Sequence, residues 1–124
     1  DYFDTCSIPY NIRHRAAETV LPAAKKKNLG VITIKPFARG ALLKGRDLTG
    51  ADAGLPRDMI AFVLENKLVD ICTCGVHTLE QTRENLSASW TALSPKARER
   101  LKDVAGTCIT DREYAWLERD WRYV

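Results

Sequence analysis

Val31-Ile32-Thr33-Ile34 is apolar at nearly every position, so a strand there leaves neither face for water. Strands buried on both faces belong to parallel sheets covered by helices. Parallel neighbours cannot be joined by a tight turn and need a crossover segment, usually a helix. The rest of the chain supplies such segments in order. Tyr2 to Pro9 reads as a first strand, with Phe3, Cys6 and Ile8 apolar, and Tyr10-Asn11 closes it. Ala16, Ala17, Val20, Leu21 and Ala24 then recur at helical spacing, and at Pro22 the regular helix either starts or kinks. Lys25-Lys26-Lys27 forms its solvated last turn, and Asn28 with Gly30 ends it.

After the Ile34 strand, Lys35-Pro36 is a stop, and Phe37 to Arg46 is a loop rich in glycine and cations. Asp47 to Gly54 reads as flexible. Pro56 suits the first turn of a helix whose buried stripe is Met59, Ile60, Val63 and Leu64. Leu68 to Thr73 is the third strand. Gly75 turns the chain, and the Thr78/Gln81 pair has the spacing of a capping box before a helix carrying Leu79 and Leu86. Ser94-Pro95 opens a further helix to about Val104, stopped by Gly106. Thr110 and Glu113 form a second capping pair ahead of an aromatic tail with Tyr114, Trp116, Leu117, Trp121 and Tyr123.

Alternating strands and helices imply an α/β fold with parallel strands and right-handed crossovers. Three βα units over residues 2–89, then C-terminal helices over 94–124, make residues 1–124 one domain. Three strands leave open sheet edges and a half-covered apolar face. The net charge of +3, with its cations dispersed among acids, argues against a nucleic-acid partner. No apolar run approaches the ~20 residues of a membrane span. Cys6, Cys72, Cys74 and Cys108 lack metal-ligand spacing and read as free thiols, which places the chain in a reducing compartment, the cytoplasm.

The strand, Gly75 turn and capped helix together form a geometry that aims backbone N–H groups at an anion. Here the sequence resembles a known family. Asp4 to Asn11, ending Ile8-Pro9-Tyr10-Asn11, is similar to the sixth barrel strand of aldo-keto reductases, and Val20-Leu21-Pro22-Ala23-Ala24 to the helix after it. Lys35-Pro36-Phe37-Ala38-Arg39-Gly40-Ala41-Leu42 resembles the seventh strand's cofactor loop, and Gly75 to Asn85 resembles the eighth strand's loop and helix. The resemblance covers residues 2 to about 102 and implies a partial TIM barrel. It also implies that the chain, which starts at Asp1, is the C-terminal part of an NADPH-dependent carbonyl reductase.

The resemblance further implies site residues. His77, Thr78 and Gln81 match positions near the adenosine 2′-phosphate of NADP, and Glu84 and Asn85 match those near adenine. Gly75 forms the turn before them. Phe37, Arg39, Gly40 and Leu42, after Lys35, fall in the loop that passes under the pyrophosphate. Ile34 stands where many members stack an aromatic on nicotinamide, and Ser7 where many carry a glutamine for the carboxamide. The Lys35-Pro36 pair resembles a bacterial branch that often carries an iron–sulfur module, but Cys108 alone cannot hold a cluster.

The family's catalytic tyrosine, lysine, aspartate and histidine belong to its first four strands, which have no counterpart here. No catalytic residue and no metal ligand is therefore assigned. Tyr10 reads as a packing residue rather than a proton donor paired with Lys35. The expected partners are a nicotinamide dinucleotide and, at the open edges, either the N-terminal part of a barrel or a second copy of the chain. The other reading is a non-catalytic module that binds a nucleotide or a partner and dimerises.

Overall fold

A computed structural model of the chain describes residues 2–106. Strand β1 (Thr5–Pro9) leads through a 3-10 turn (Ala16–Thr19) into helix α1 (Leu21–Lys26). Then come β2 (Gly30–Ile34), a 3-10 segment (Ala38–Leu43), α2 (Leu55–Glu65), β3 (Ile71–Cys72) and α3 (Leu79–Ser87). A short 3-10 turn (Ala88–Trp90) and α4 (Pro95–Gly106) follow. The sheet order is β1-β2-β3 and both pairings are parallel, with Ser7 opposite Ile32 and Ile32 opposite Ile71. The chain is thus an α/β structure of three consecutive parallel βα units, as the alternation predicts.

Local chemistry sets the element ends. Pro22 and Pro56 both sit in the first turn of their helices, where a missing N–H costs nothing. Thr78 Oγ1 accepts the Gln81 N–H at 3.2 Å, and Gln81 Oε1 accepts the His77 N–H at 2.8 Å. That reciprocal pair starts α3 in the manner of a capping box. Ser94 Oγ accepts the Ala97 N–H at 3.1 Å and starts α4.

Side chains alternate across a strand, and the two sheet faces differ accordingly. Val31 and Thr33 are fully buried, and α1 and α2 cover their face. On the opposite face Ile71 is 52% exposed and Ile32 and Ile34 are half-buried, so that face stays open. Helix α2 is the spine. Its Met59 and Ile60 join a core with Leu42, Leu55, Leu101 and Val104, while Val63 joins Tyr10, Leu21 and Val31 in a second core against the sheet.

Six details depart from the sequence reading. The first strand starts at Thr5 rather than Tyr2, and Tyr2 and Phe3 are exposed because they have no ladder partner. The third strand shrinks to Ile71–Cys72. Just before it, the Asp70 carboxylate accepts the Val31 N–H at 2.6 Å and pairs with Lys25, so the first of the three lysines is tied down rather than solvated. Val20 is half exposed, leaving Ala17, Leu21 and Ala24 as the buried stripe of that segment.

Asp47 to Gly54 is a bonded turn instead of a flexible link. Asp47 Oδ1 accepts from the Gly50 N–H at 3.0 Å and the Thr49 hydroxyl at 3.2 Å, and Asp52 pairs with Arg46 at 3.8 Å. Finally, α3 buries none of its residues, with Leu79 and Leu86 at 57% and 60% exposure. The expected capping pair at Thr110 and Glu113, the aromatic tail and Cys108 lie outside the described residues.

Candidate functional site

The segments that follow β2 and β3 face each other across a cleft of about 960 Å³. One wall is Lys35, Pro36, Phe37, Arg39 and Gly40, continued by Leu43, Leu48, Thr49, Ala53, Gly54 and Pro56. The other is Thr73, Cys74, Gly75, His77 and Thr78, with Glu80, Gln81, Glu84 and Asn85 from α3. Ligand sites of open parallel sheets lie at the C-terminal ends of the strands, and this cleft is in that position.

The β2 wall has unusual backbone. Lys35, Ala38 and Arg39 have φ of 60°, 51° and 60°, and Gly40 has φ of 90°. Non-glycine residues in the left-handed region cost about 1 kcal/mol or more each, and persist where surrounding structure fixes them. One fixing group is Asn11, which is wholly buried. Its Nδ2 donates to the Lys35 carbonyl at 2.9 Å, while its Oδ1 accepts the Arg13 and His14 N–H groups at 3.0 and 2.8 Å. The end of β1 is thereby bolted to the turn that opens the cleft. Burial, with Arg39 beside it, holds the Lys35 ammonium below its usual pKa.

The β3 wall is held by Asn85, whose amide donates to Cys74 Sγ at 3.3 Å. Burial raises the Cys74 thiol pKa, partly offset by Asn85, and pushes Cys72 up to about 11. Both are therefore thiols rather than thiolates at neutral pH. Glu80 is drawn below its usual pKa by its own backbone N–H and by the Thr78 hydroxyl. Its carboxylate thus sits at the positive end of α3, where an incoming anion would bind.

Ten of the thirteen residues expected at a cofactor line this cleft: Lys35, Phe37, Arg39, Gly40, Gly75, His77, Thr78, Gln81, Glu84 and Asn85. Leu42 does not. It is 2% exposed and packs in the core with Leu55 and Met59, because the kink at Arg39-Gly40 turns it inward. Ser7 and Ile34 are also outside the cleft lining; Ser7 is exposed on β1 and Ile34 is half-buried at the end of β2. Of the other loop cations, Arg46 is committed to Asp52, and Lys44 and Arg83 are exposed away from the cleft.

Tyr10 does not face Lys35 as a proton donor. It is 2% exposed, its hydroxyl donates to Glu18 Oε1 at 2.7 Å, and burial raises its pKa. The wall from Leu43 to Pro56 was missed by sequence reasoning. Its signals were Asp47, positioned to accept from the N–H groups of its own turn, and Gly54, which caps α2 with φ of 76°.

Among the described residues no cluster of His, Cys, Asp or Glu could hold a metal ion, and no helix is long and apolar enough to cross a membrane.

No protein-family model matches the sequence, and no curated protein does. Solved structures do. Aldo-keto reductase AKR11C1 from Bacillus halodurans aligns in its apo form with a TM-score of 0.62 at 19% identity, over 89% of this chain and 46% of that one. Its holo form aligns with a TM-score of 0.57 at 21% identity, over 86% and 45%. The thermostable aldo-keto reductase Tm1743, in complex with the inhibitor epalrestat, gives 0.52 at 23% identity, over 79% and 38%. The likeness is one of fold, and this chain spans less than half the length of each of those chains.

Proposed function

We propose that the cleft binds NADP through its phosphates and adenine, as the C-terminal cofactor-gripping portion of an aldo-keto reductase. The observation that carries the reading is the convergence of two separate segments. The loop after β2 and the α3 N-terminus, expected at one cofactor from their resemblance alone, line one cleft of fitting size. The donor set also fits an anionic ligand. Arg39 and Lys35 supply cations on one wall, and α3 presents its N-terminal dipole on the other. When bound, the cofactor supplies a hydride. This chain's own residues bind and orient it.

Reduction itself needs a placed proton donor. The reading assigns none to this chain, so carbonyl reduction belongs to a whole barrel and the free chain is inactive. The free thiols of Cys6, Cys72 and Cys74 accord with a reducing, cytoplasmic setting. Calorimetric titration of the chain with NADPH tests the reading. Saturable binding that weakens in Arg39→Ala and at higher salt is expected. No heat of binding at millimolar NADPH rejects it.

The open sheet face with Ile71, and the exposed Leu79 and Leu86 on α3, favour a second element of the same reading. These surfaces are covered by the rest of a barrel or by a second copy of the chain. A dimer on sedimentation that binds no nucleotide would instead support the non-catalytic module.

A further inference from the structure

Helix α4 contributes nothing to the cleft lining, yet it grips the element that shapes one wall. Arg100 extends two arms. One Nη donates to Asp58 Oδ2 at 2.6 Å, and the other donates to the Ala53 carbonyl at 3.1 Å. The Asp58 side chain is 3% exposed and lies in the first turn of α2. Its other oxygen accepts from Arg57 at 2.8 and 3.0 Å. Ala53, Gly54 and Pro56 line the cleft, and the Asp58 N–H donates to the Gly54 carbonyl at 3.0 Å.

We propose that Arg100 is a positioning residue for the cleft. Its fork fixes where the Ala53–Pro56 wall stands, and so sets the width of the site from outside it. The proposal rests on the reading of the cleft as a nucleotide site. The chemistry is suited to the task. A planar guanidinium reaches two acceptors in a fixed geometry, so it transmits position as well as charge. The Asp58 carboxylate is buried, which makes its partners hard to exchange for water. A wall placed in advance spares the ligand the cost of ordering it.

Arg98 provides an internal control. It joins the same two helices through a bidentate pair with Glu65, at 2.8 and 2.9 Å, at the far end of α2 from the cleft. Loss of either arginine weakens the α2–α4 contact. Only loss of Arg100 frees the wall.

The test compares Arg100→Met, Arg98→Met and the double variant Asp58→Asn/Arg100→Met, which leaves no stranded carboxylate. Amide hydrogen exchange over residues 50–55 is read on each free protein, and NADPH affinity by titration. Arg100→Met and the double variant are expected to speed exchange in that segment and to weaken NADPH by about tenfold. Arg98→Met is expected to lower Tm while leaving both readouts at wild-type values. Arg100→Lys, which keeps a donor near both oxygens, should recover part of the affinity. Equal exchange at 50–55 in the Arg98 and Arg100 variants overturns the proposal. Exchange needs no ligand, so it decides the positioning even where wild-type protein binds no NADPH, an outcome that removes the cofactor reading alone.

Discussion

The Asn85 side-chain amide donates to Cys74 Sγ at 3.3 Å, joining the chain just past β3 to the second turn of α3. The bond matters because α3 buries none of its residues. A helix without an embedded apolar stripe depends on its cap and on such side-chain ties. Cys74→Ala removes the acceptor and should cost about 0.5 kcal/mol, the lower end for a hydrogen bond because sulfur accepts weakly. Cys74→Ser keeps an acceptor and should hold wild-type stability. Urea midpoints of the two variants check this, and equal losses in both would show that packing of the sulfur matters more than the bond.

Glu80 occupies the helix end at which the proposed cofactor phosphate would bind. The carboxylate already draws on its own N–H and on the Thr78 hydroxyl. Replacing it by Glu80→Gln removes a negative charge from the helix end at which the proposed NADP phosphate would bind. NADPH affinity should rise about two- to fivefold, the equivalent of one charge near a helix terminus. The gain should shrink with added salt. Weaker binding in this variant would mean that Glu80 contacts the ligand favourably, for example at a ribose hydroxyl.

In the alkaline range, Cys72 is a clear source of pH-dependent stability. The Cys72 thiol stands at about 11, against an ordinary 9.0, chiefly through burial. A pKa raised by folding means that the protonated form is favoured in the native state. The stabilisation is complete below pH 9 and is lost as pH rises through 11. Lysines and tyrosines also titrate there, so the informative quantity is a difference. The Tm gap between wild type and Cys72→Ala should narrow steadily from pH 9 upward. A gap that is flat across that range would refute the assignment. The same burial predicts slow alkylation of Cys72 at pH 8.

Much of this architecture is legible in the sequence because its signals are local. The Val31–Ile34 run, Pro22 and Pro56 in first turns, and the Thr78/Gln81 cap each involve residues within a few positions of one another. What escaped depends on distant partners. Leu42 looked like a loop residue beside a phosphate, but left-handed backbone at Arg39 and Gly40 folds it into a core made by α2 and α4. The third strand looked six residues long and pairs over two, and just before it the Asp70 side chain takes the Val31 N–H. Asn11 reads as a strand-ending polar residue, and its role emerges only through the Lys35 carbonyl 24 positions away. The 47–54 wall was hidden in part for the same reason, since only its Asp47 turn is local. Its order comes from the Asp47 turn and from Arg100, 47 residues beyond Ala53.

Gly54 is where that wall meets α2, and it carries the last prediction. Its φ of 76° lies in the left-handed region, and a Cβ there would stand 2.9 Å from Arg57 Nη2. The Arg57 tip can swing aside, so the contact alone is cheap. The backbone conformation is not, because an L side chain in this region costs about 1–2 kcal/mol. Moving Arg57 also weakens its two bonds to the buried Asp58. Gly54→Ala should therefore destabilise by more than about 1 kcal/mol, and lower Tm by several degrees for a domain of this size. Gly54→Asn, which tolerates the left-handed region better, should lose less. Thermal unfolding of the pair separates backbone strain from crowding: if Asn, the larger side chain, costs more than Ala, then displacement of Arg57 rather than φ sets the penalty.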